Sequence, residues 1–518
     1  MSFLFNSINK VNETFKKAGS FNSEIGMFSG FTPIDILSSN IEHFADKANI
    51  ELINGGIFNF PYTEIGMSAS GKTTLWIQII AACIDNWYRQ YGPVSEAIMY
   101  NVELHTSPKR VQDVTGWDDQ MMAERFRMVN KSWSIIEIFN DLAVLAREKL
   151  AHKKELEIDT GVRSIGGESI KILPTTYALI DSIAAVRSKT DMAFDKDGNV
   201  KNGETVAGTS NMDAMQIAKD NTLFINEVKK LCSDAKICVI MINHLVEIPV
   251  LDRYNPPKPQ LPGMKFNQKV KGGTELLYQS YCVGQLSIRE RMFNEKQQVY
   301  GPGVHGLIAL MDWLKNKNGP EGVRYPMVFD GNTGYKPELT DFEILYSEGM
   351  YGIKGSPMNY YLSILPEITF TRKNLLEKCH SNPLLARALS FTTRLYLVSK
   401  VINREDPPDI SDFEYADFDE RVFMILSHSM DYPGYVNFGW TVPEEYQRIA
   451  DDYAFALSRR EGPNIGISDS DMFMYEHGFI PTQQVFSDFD NVVKIGNTEY
   501  CIAEADNMSN WKKFSVKN

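Results

Sequence analysis

The strongest constraint on the fold is an eight-residue pattern early in the chain. The segment GMSASGKT, residues 66–73, matches the pattern G-x-x-x-x-G-K-[ST] and lies between the apolar run GIFNFPYTEI and a helical stretch at 72–90. Its glycines let backbone N–H groups curl around a phosphate, its lysine neutralises phosphate oxygens, and its threonine hydroxyl is a ligand for Mg²⁺. The alternative, a Gly-Ser turn with a solvated lysine, is disfavoured by the flanking strand and helix.

The pattern predicts a bound nucleotide, with ATP and Mg²⁺ as cofactors, at the start of a helix whose positive end favours phosphate. The residues that it assigns to the nucleotide are Gly66, Ser68, Ser70, Gly71, Lys72, Thr73 and Thr74. Lys72 is also a candidate catalytic residue, and Thr73 is a candidate metal ligand.

The rest of the first two thirds of the chain has a regular pattern. From about residue 50 to 335, apolar strand-like runs alternate with helical stretches. This alternation predicts an α/β fold with a doubly wound, mostly parallel sheet. The near-continuous apolar run at 237–242 predicts a strand covered on both faces. Helices are predicted at 72–90, 132–154 and 212–234.

Three of the apolar runs end in polar side chains that suit a nucleotide site. Asp181 ends the run TTYALID, where a carboxylate beside a phosphate loop can act as a ligand to Mg²⁺. Glu103 follows EAIMYNV and can orient and deprotonate a water molecule, although a surface glutamate is the alternative. Asn243 and His244 end KICVIMINH and can contact a γ-phosphate or simply cap the strand.

In this order, the segments resemble the RecA-type recombinases, and most closely the UvsX recombinases of large tailed phages. The resemblance covers about residues 50 to 340 and is carried by GMSASGKTTLWIQIIAA, YNVELH, YALIDSIAAV, VIMINH, KVKGGTELLYQSYCVGQLSIRER and WLKNKNGPEGVRYPMVFDGNTGY. It implies a RecA-like P-loop ATPase core. Asn101 departs from the family pattern, in which aspartate is usual, and leaves the outer shell of the metal less charged.

The resemblance implies a DNA-dependent ATPase that forms helical filaments on single-stranded DNA and catalyses homologous pairing and strand exchange with double-stranded DNA. ATP would lie between adjacent protomers, with Glu103 as the residue that activates water. Lys315 and Lys317 would reach the γ-phosphate held by the neighbouring protomer. Arg110 falls where the family stacks a side chain on adenine. Single-strand-binding and loader proteins are further partners that the resemblance implies.

The resemblance also implies that the loops 187–211 and 245–271 line the filament axis and contact DNA. The first carries four basic and four acidic residues, and the second carries five basic and two acidic ones. On charge, the second is the better candidate for DNA contact, and a disordered surface loop is the alternative for the first. The residues assigned to DNA are Arg187, Lys189, Arg253, Tyr254, Lys265, Phe266, Lys269 and Lys271.

Composition limits the remaining classes of protein. The chain of 518 residues has a net charge of -13, and its six cysteines show no CxxC pair and no metal-ligand spacing. This argues against a disulfide framework or a zinc site and fits a reducing compartment. No run approaches the ~18 apolar residues that a membrane span needs. We therefore expect a cytoplasmic protein, in a host cell or a phage replication compartment, with no membrane partner.

Outside the core the sequence is less informative. The predicted division is an N-terminal oligomerisation segment at 1–45, the ATPase core at 46–340, a small helical C-terminal lobe at 341–403, an acidic linker at 404–420 and a C-terminal α/mixed extension of unknown role at 421–518. The segment FKKA, residues 15–18, has a Phe-x-x-Ala form through which related recombinases bind the next subunit; a short amphipathic turn is the alternative. The linker either mimics DNA or is a solvated spacer.

Two other functions remain open at this point. One is a hexameric helicase or translocase on the same ATPase core, and the paired lysines after the Gly-Gly turn count against it. The other is a recombination mediator that binds ATP but hardly hydrolyses it, which an intact Glu103 and Lys72 disfavour.

Overall fold

The computed structural model describes the greater part of the chain. The described residues are 26–37, 40–43, 51–54, 56–163, 169–186, 211–249, 254, 257–418, 421, 422, 425, 492–495, 498–502 and 514–516. Three predicted DNA contacts, Arg187, Lys189 and Arg253, lie outside them, as does the predicted subunit contact at 15–18.

Strands and helices are numbered in chain order. The strands are β1 (Asn40–His43), β2 (Glu51–Asn54), β3 (Pro61–Gly66), β4 (Glu96–Asn101), β5 (Phe126–Val129), β6 (Ile158–Arg163), β7 (Ser169–Ile172), β8 (Thr176–Asp181), β9 (Ile237–Glu247), β10 (Gln268–Val270), β11 (Cys282–Arg291), β12 (Gly306–Asn316), β13 (Arg324–Asp330), β14 (Gly334–Tyr335), β15 (Ile353–Ser356), β16 (Asn359–Leu362), β17 (Leu365–Phe370), β18 (Val492–Ile495), β19 (Thr498–Ile502) and β20 (Phe514–Val516). The α-helices are α1 (Thr32–Leu37), α2 (Lys72–Tyr91), α3 (Pro108–Thr115), α4 (Asp119–Arg125), α5 (Ile135–Ala151), α6 (Lys153–Leu156), α7 (Asn211–Ala235), α8 (Glu275–Gln279), α9 (Pro337–Ser347), α10 (Leu375–Ser381) and α11 (Pro383–Leu397).

Ten of these strands form one central sheet. Its strand order is β14-β13-β12-β11-β3-β9-β8-β4-β5, and β10 pairs with β9 beside this path. From β11 to β5 every pairing is parallel, whereas β12, β13 and β14 continue the sheet with antiparallel pairings. The prediction of an α/β fold with a mostly parallel sheet is confirmed. Such a sheet is compatible with a RecA-like core.

Helices cover both faces of the sheet. On β4, Ala97 and Met99 pack into one core with residues of α2, while Ile98 and Tyr100 pack into a second core with residues of α5 and α7. Successive residues of a strand point to opposite faces, so α2 lies on one side and α5 with α7 on the other. Residues 237–242 of β9 are all buried, which confirms the strand that was expected to be covered on both faces.

The long helices lie where the apolar periodicity predicts them. α2 covers the predicted 72–90, α7 covers 212–234, and α5 with α6 occupies most of 132–154. A capping box explains where α5 begins. The Ser134 hydroxyl accepts a hydrogen bond from the N–H of Glu137, and the Glu137 carboxylate accepts one from the N–H of Ser134. Among the described residues, no helix has the length and apolar composition that crossing a membrane requires.

Downstream of the core, the chain forms a mixed lobe. Helices α9, α10 and α11 are accompanied by a three-stranded antiparallel sheet, β15-β16-β17, in the region that the sequence predicts as helical. The acidic stretch that follows is attached to this sheet. The Tyr351 hydroxyl donates a hydrogen bond to the carbonyl oxygen of Pro408 at 2.9 Å, and Lys354 Nζ donates to that of Ser411 at 3.0 Å. The first part of the predicted linker therefore packs on the lobe.

Candidate functional site

The carboxyl end of β3 leads directly into the loop GMSASGKT and then into α2. The last residue of β3 is Gly66, and α2 begins at Lys72. Just before the helix, Gly71 has a φ of 87°, a left-handed conformation that favours glycine. The hydroxyl of the buried Ser70 donates a hydrogen bond to the carbonyl oxygen of Met67 at 2.9 Å. The loop therefore curves back on itself at the start of a long helix.

The Lys72 ammonium group lies inside this curve. Its Nζ donates hydrogen bonds to the carbonyl oxygens of Gly66 at 3.1 Å and Met67 at 2.8 Å, and 5% of the residue is exposed. Burial holds the pKa of Lys72 below its usual value, and the neighbouring carboxyl groups of Glu64 and Asp181 partly oppose this. A cation in such a water-poor position interacts strongly with phosphate oxygens.

Thr73 and Asp181 meet beside the loop. The Thr73 hydroxyl contacts both carboxylate oxygens of Asp181, at 3.1 and 3.2 Å. Burial, and next the negative charge of Glu103, raise the pKa of Asp181 to about 6. A hydroxyl and a carboxylate are oxygen ligands of the kind that Mg²⁺ prefers, so these two side chains fit a magnesium ion. The structure brings the two predicted metal ligands together.

Glu103 lies two residues beyond β4 and is held by two neighbours. The Ser182 hydroxyl donates a hydrogen bond to its Oε1, and His244 Nε2 lies 2.8 Å from the same oxygen. Burial by itself would raise the pKa of Glu103, but the hydrogen bonds from Ser182 and His244 and the attraction of His244 and His105 hold it below its usual value. Glu103 is therefore an ionised carboxylate at neutral pH, which can accept a proton or orient a water molecule.

His105 is a neighbour of Glu103 that the motifs do not include. Its Nδ1 lies 3.3 Å from Glu103 Oε2, and its side chain is 80% exposed. The Glu103 carboxylate therefore has an imidazole beside each oxygen, one from His244 and one from His105. The signal in the sequence is the short spacing in VELH, which places His105 two residues after Glu103.

Strand β9 connects this site with the loop 245–271. Its last residues continue beyond β3 and pair antiparallel with β10. Asn243 Nδ2 donates a hydrogen bond to the carbonyl oxygen of Lys271 at 3.0 Å, and the Lys271 N–H donates to the carbonyl oxygen of His244 at 3.4 Å. The loop therefore begins directly after His244, and its last residue, Lys271, is hydrogen-bonded to Asn243 and His244. These are the two residues predicted to contact a γ-phosphate.

Five of the predicted DNA-contacting residues lie in the described part of that loop. Tyr254 is fully exposed, and Phe266 is 48% exposed. Lys265, Lys269 and Lys271 are also exposed. The loop thus presents lysines together with aromatic rings, the combination that single-stranded nucleic acid binds through phosphate contacts and base stacking.

Arg110 joins the site to the turn between β13 and β14. Its Nη1 donates hydrogen bonds to the carbonyl oxygens of Gly331 at 2.9 Å and Asn332 at 2.7 Å, and its Nη2 donates to the Thr74 hydroxyl at 3.3 Å. Arg110 therefore contacts Thr74, the residue that follows the phosphate-loop motif. A contact of Arg110 with the adenine base stays a prediction. Ser68, within the loop, is exposed.

The paired lysines lie away from the phosphate loop of their own chain. Strand β12 runs antiparallel to β11, so its end lies beside the start of β11 and not beside the end of β3. Lys315 Nζ donates to the carbonyl oxygens of Tyr278 and Ser280, both at 2.6 Å, and Lys317 is exposed. Within one chain, the structure does not bring these lysines to the candidate nucleotide site.

Glu64 is a buried carboxyl group that the motifs also omit. It lies on β3, two residues before the loop, and none of it is exposed. Trp76 Nε1 donates a hydrogen bond to its Oε2 at 3.3 Å, while its Oε1 accepts none from the described residues. Burial raises the pKa of Glu64 to about 8, although Trp76 and Lys72 oppose the shift. Glu64 is therefore mostly neutral at pH 7; its signal in the sequence is a glutamate within an apolar strand.

Comparisons with known proteins add no assignment. No family model matches the chain, and no curated protein matches it. The function is therefore inferred from the residues of the site and from their geometry.

We expect Glu64→Gln to remove part of the pH dependence of stability. The pKa of Glu64 is about 8 in the folded chain and roughly 4.3 in the unfolded chain. Its stabilising contribution is therefore complete below the unfolded pKa and is lost as the pH rises through the folded pKa. Between pH 6 and pH 8 the wild type should lose on the order of 2 kcal/mol of unfolding free energy that the variant keeps.

Denaturant unfolding of both proteins at pH 6 and pH 8 measures this difference. Glu377→Gln, which changes an exposed glutamate on α10, is the matched control and should leave the pH dependence unchanged. The same loss of stability in wild type and Glu64→Gln would show that the Glu64 carboxyl group is not held in its neutral form.

Proposed function

We propose that the chain is an ATP-dependent DNA recombinase of the RecA type, which forms filaments on single-stranded DNA and carries out homologous pairing and strand exchange with double-stranded DNA. The observation that supports this best is the convergence of the phosphate loop, Asp181, Glu103 and His244 at one edge of the sheet. The same edge carries the base of the loop 245–271. The candidate nucleotide site and the candidate DNA-contacting loop are therefore joined by the hydrogen bond between Asn243 and Lys271.

ATP and Mg²⁺ are the proposed ligands of the phosphate loop. Backbone N–H groups of the loop would bind phosphate oxygens, and Lys72 would place its charge beside the β- and γ-phosphates. Thr73 and Asp181 are the residues that would hold Mg²⁺, an ion that neutralises phosphate charge when it is bound. Asp181, with a pKa of about 6, is already largely ionised at pH 7, and a nearby cation favours that form further.

Glu103 is the proposed general base for hydrolysis of ATP. Its carboxylate is ionised, and the Ser182 hydroxyl and His244 hold one of its oxygens in place. It can therefore take the proton of an attacking water molecule while keeping a fixed orientation. The imidazole of His105 beside the other oxygen adds a second group that stabilises the negative charge.

Coupling of ATP to DNA is proposed to pass through β9. His244 contacts Glu103, and its neighbour Asn243 is hydrogen-bonded to Lys271, where the loop 245–271 ends. A displacement of these side chains by a γ-phosphate would therefore change the base of the loop. Binding of ATP would favour the DNA-binding form of the filament, and hydrolysis would release it.

Lys315 and Lys317 are proposed to act on the ATP of a neighbouring protomer. They lie at the end of β12, away from the phosphate loop of their own chain, so a contribution to hydrolysis requires a second copy. A head-to-tail interface repeats such a contact along a filament. The lysines would then stabilise negative charge on the transferred phosphoryl group, as an arginine finger does.

We expect Lys72→Ala to abolish ATP binding and the formation of joint molecules, because in the described part of the chain no other cation occupies the curve of the loop. Titration with a fluorescent ATP analogue, and ATP hydrolysis with and without single-stranded DNA, measure the effect. Lys378→Ala, at an exposed lysine on α10, is the control and should behave as wild type. Normal strand exchange by Lys72→Ala, or wild-type hydrolysis that ignores single-stranded DNA, would count against the proposal.

We expect Lys317→Ala to leave the Kd for ATP within about twofold while removing DNA-stimulated turnover. Lys317 is the cleaner choice because Lys315 also caps two backbone carbonyl groups. Glu103→Gln should be inactive as well. Mixed filaments of the two variants should recover activity at about a quarter of the sites, where an intact Glu103 meets an intact Lys317. If the mixture stays inactive, the lysine does not act between protomers.

We expect Lys269→Ala to weaken binding of single-stranded DNA and to lower the slope of log K against log salt by about 0.7, the value for one phosphate contact. Lys269 is exposed on β10, within the loop that joins the nucleotide site. Fluorescence anisotropy with a labelled oligothymidine at several salt concentrations measures the slope. The control Lys378→Ala removes one positive charge from the lobe and should leave the slope unchanged. An equal effect of both variants would exclude the loop as the specific DNA contact.

A further inference from the structure

A tyrosine outside the phosphate-binding motif contacts the phosphate loop. Tyr335 ends β14, the edge strand of the central sheet, and is 1% exposed. Its hydroxyl donates a hydrogen bond to the carbonyl oxygen of Ser70 at 3.1 Å. A Cβ atom built on Gly71 would lie 2.5 Å from the same hydroxyl oxygen. The hydroxyl group therefore fills the space that Gly71 leaves at the turn before Lys72.

Tyr335 is itself held firmly against α2. Gln78 Oε1 accepts the backbone N–H of Tyr335 at 2.7 Å, and Gln78 Nε2 donates to the carbonyl oxygen of Tyr335 at 3.2 Å. The ring packs against Phe31 and Phe329, with ring centres 6.4 and 4.9 Å away. Because α2 holds the backbone of Tyr335 while its hydroxyl holds the loop, this one residue spans the loop-to-helix turn.

The strand that carries Tyr335 has a second attachment to the site. Asp330 closes the turn before β14 by accepting hydrogen bonds from the N–H and the hydroxyl of Thr333, at 2.9 and 2.5 Å. Arg110 donates to two carbonyl groups of the same turn and to Thr74. Arg110 therefore attaches the turn to Thr74, and the Tyr335 hydroxyl attaches the end of β14 to Ser70.

The hydrogen bond to Ser70 determines how the next N–H group points. In a trans peptide unit the C=O and the N–H point in opposite directions. The carbonyl group of Ser70 is turned toward Tyr335, so the N–H of Gly71 in the same peptide unit points away from Tyr335. Backbone N–H groups directed into the curve of a phosphate loop are the donors that bind phosphate oxygens.

We propose that Tyr335 is a positioning residue for nucleotide binding, which orients the Ser70–Gly71 peptide unit so that its N–H faces the phosphates. This inference rests on the proposed nucleotide site and adds to it a residue more than 260 positions along the chain from the motif. Tyr335 contacts the loop through its hydroxyl group, which donates to Ser70. Its effect should therefore fall on the binding of phosphate groups, and hydrolysis of bound ATP should change little.

The test is the Kd for Mg-ATP and for Mg-ADP of wild type and Tyr335→Phe, measured by calorimetric titration. Phenylalanine keeps the ring packing and removes one hydrogen bond, so both Kd values should rise roughly 3- to 10-fold. The rate of hydrolysis at saturating ATP should stay within about twofold. Tyr325→Phe is the matched control: Tyr325 is a buried tyrosine on β13 whose hydroxyl accepts a hydrogen bond from Trp313 Nε1 at 3.1 Å, and its removal should leave both Kd values unchanged.

A second pair of variants separates positioning from general stability. Gly71→Ala puts a methyl group against the Tyr335 hydroxyl and also strains the backbone at a φ of 87°, so it should weaken nucleotide binding. Combining it with Tyr335→Phe should restore only the part of the affinity that the hydroxyl contact removes, because the backbone strain remains. Unchanged Kd values in Tyr335→Phe, or equal changes in Tyr325→Phe, would overturn the inference while leaving the nucleotide site intact. Failure of the wild type to bind either nucleotide would overturn the proposed function as well.

Discussion

The common end point of four parallel strands is the constraint on which the site depends. β3, β4, β8 and β9 run in one direction, so the residues that follow them gather at the same edge of the sheet. The hydrogen bond from Thr73 to Asp181 ties α2 to β8, and the contact of Glu103 with His244 ties together the ends of β4 and β9. A slip of one strand by one residue would turn its side chains to the other face and separate these groups.

Burial then sets the charge of each group in this small region. Lys72 is desolvated, so its ammonium group interacts more strongly with a phosphate than it would in water. Asp181 has a raised pKa, whereas hydrogen bonds keep Glu103 ionised despite its partial burial. Glu64 lies beneath the loop in its neutral form, so it does not compete as an anion for Lys72. The site therefore combines a desolvated ammonium group with two largely ionised carboxylates, Asp181 and Glu103, and the neutral carboxyl group of Glu64.

Short local patterns were enough to predict that these candidate residues lie at the ends of strands. A few consecutive residues predict the strand, loop and helix around Lys72. The same is true of the strand ends at Asp181 and His244. The contact of Tyr335 with the loop depends on β14 lying at the far edge of the sheet, which no local pattern contains. The lobe was predicted as helical only, because its strands are four to six residues long and contain little alternation.

The central claim is that ATP held at this edge organises copies of the chain into a filament on single-stranded DNA. Electron microscopy of the purified full-length chain, with a slowly hydrolysed ATP analogue, Mg²⁺ and long single-stranded DNA, examines it most directly. A recombinase of this type should form extended helical filaments with the analogue and none without nucleotide. Closed rings would indicate a translocating hexamer instead, and separate particles under every condition would contradict the claim altogether.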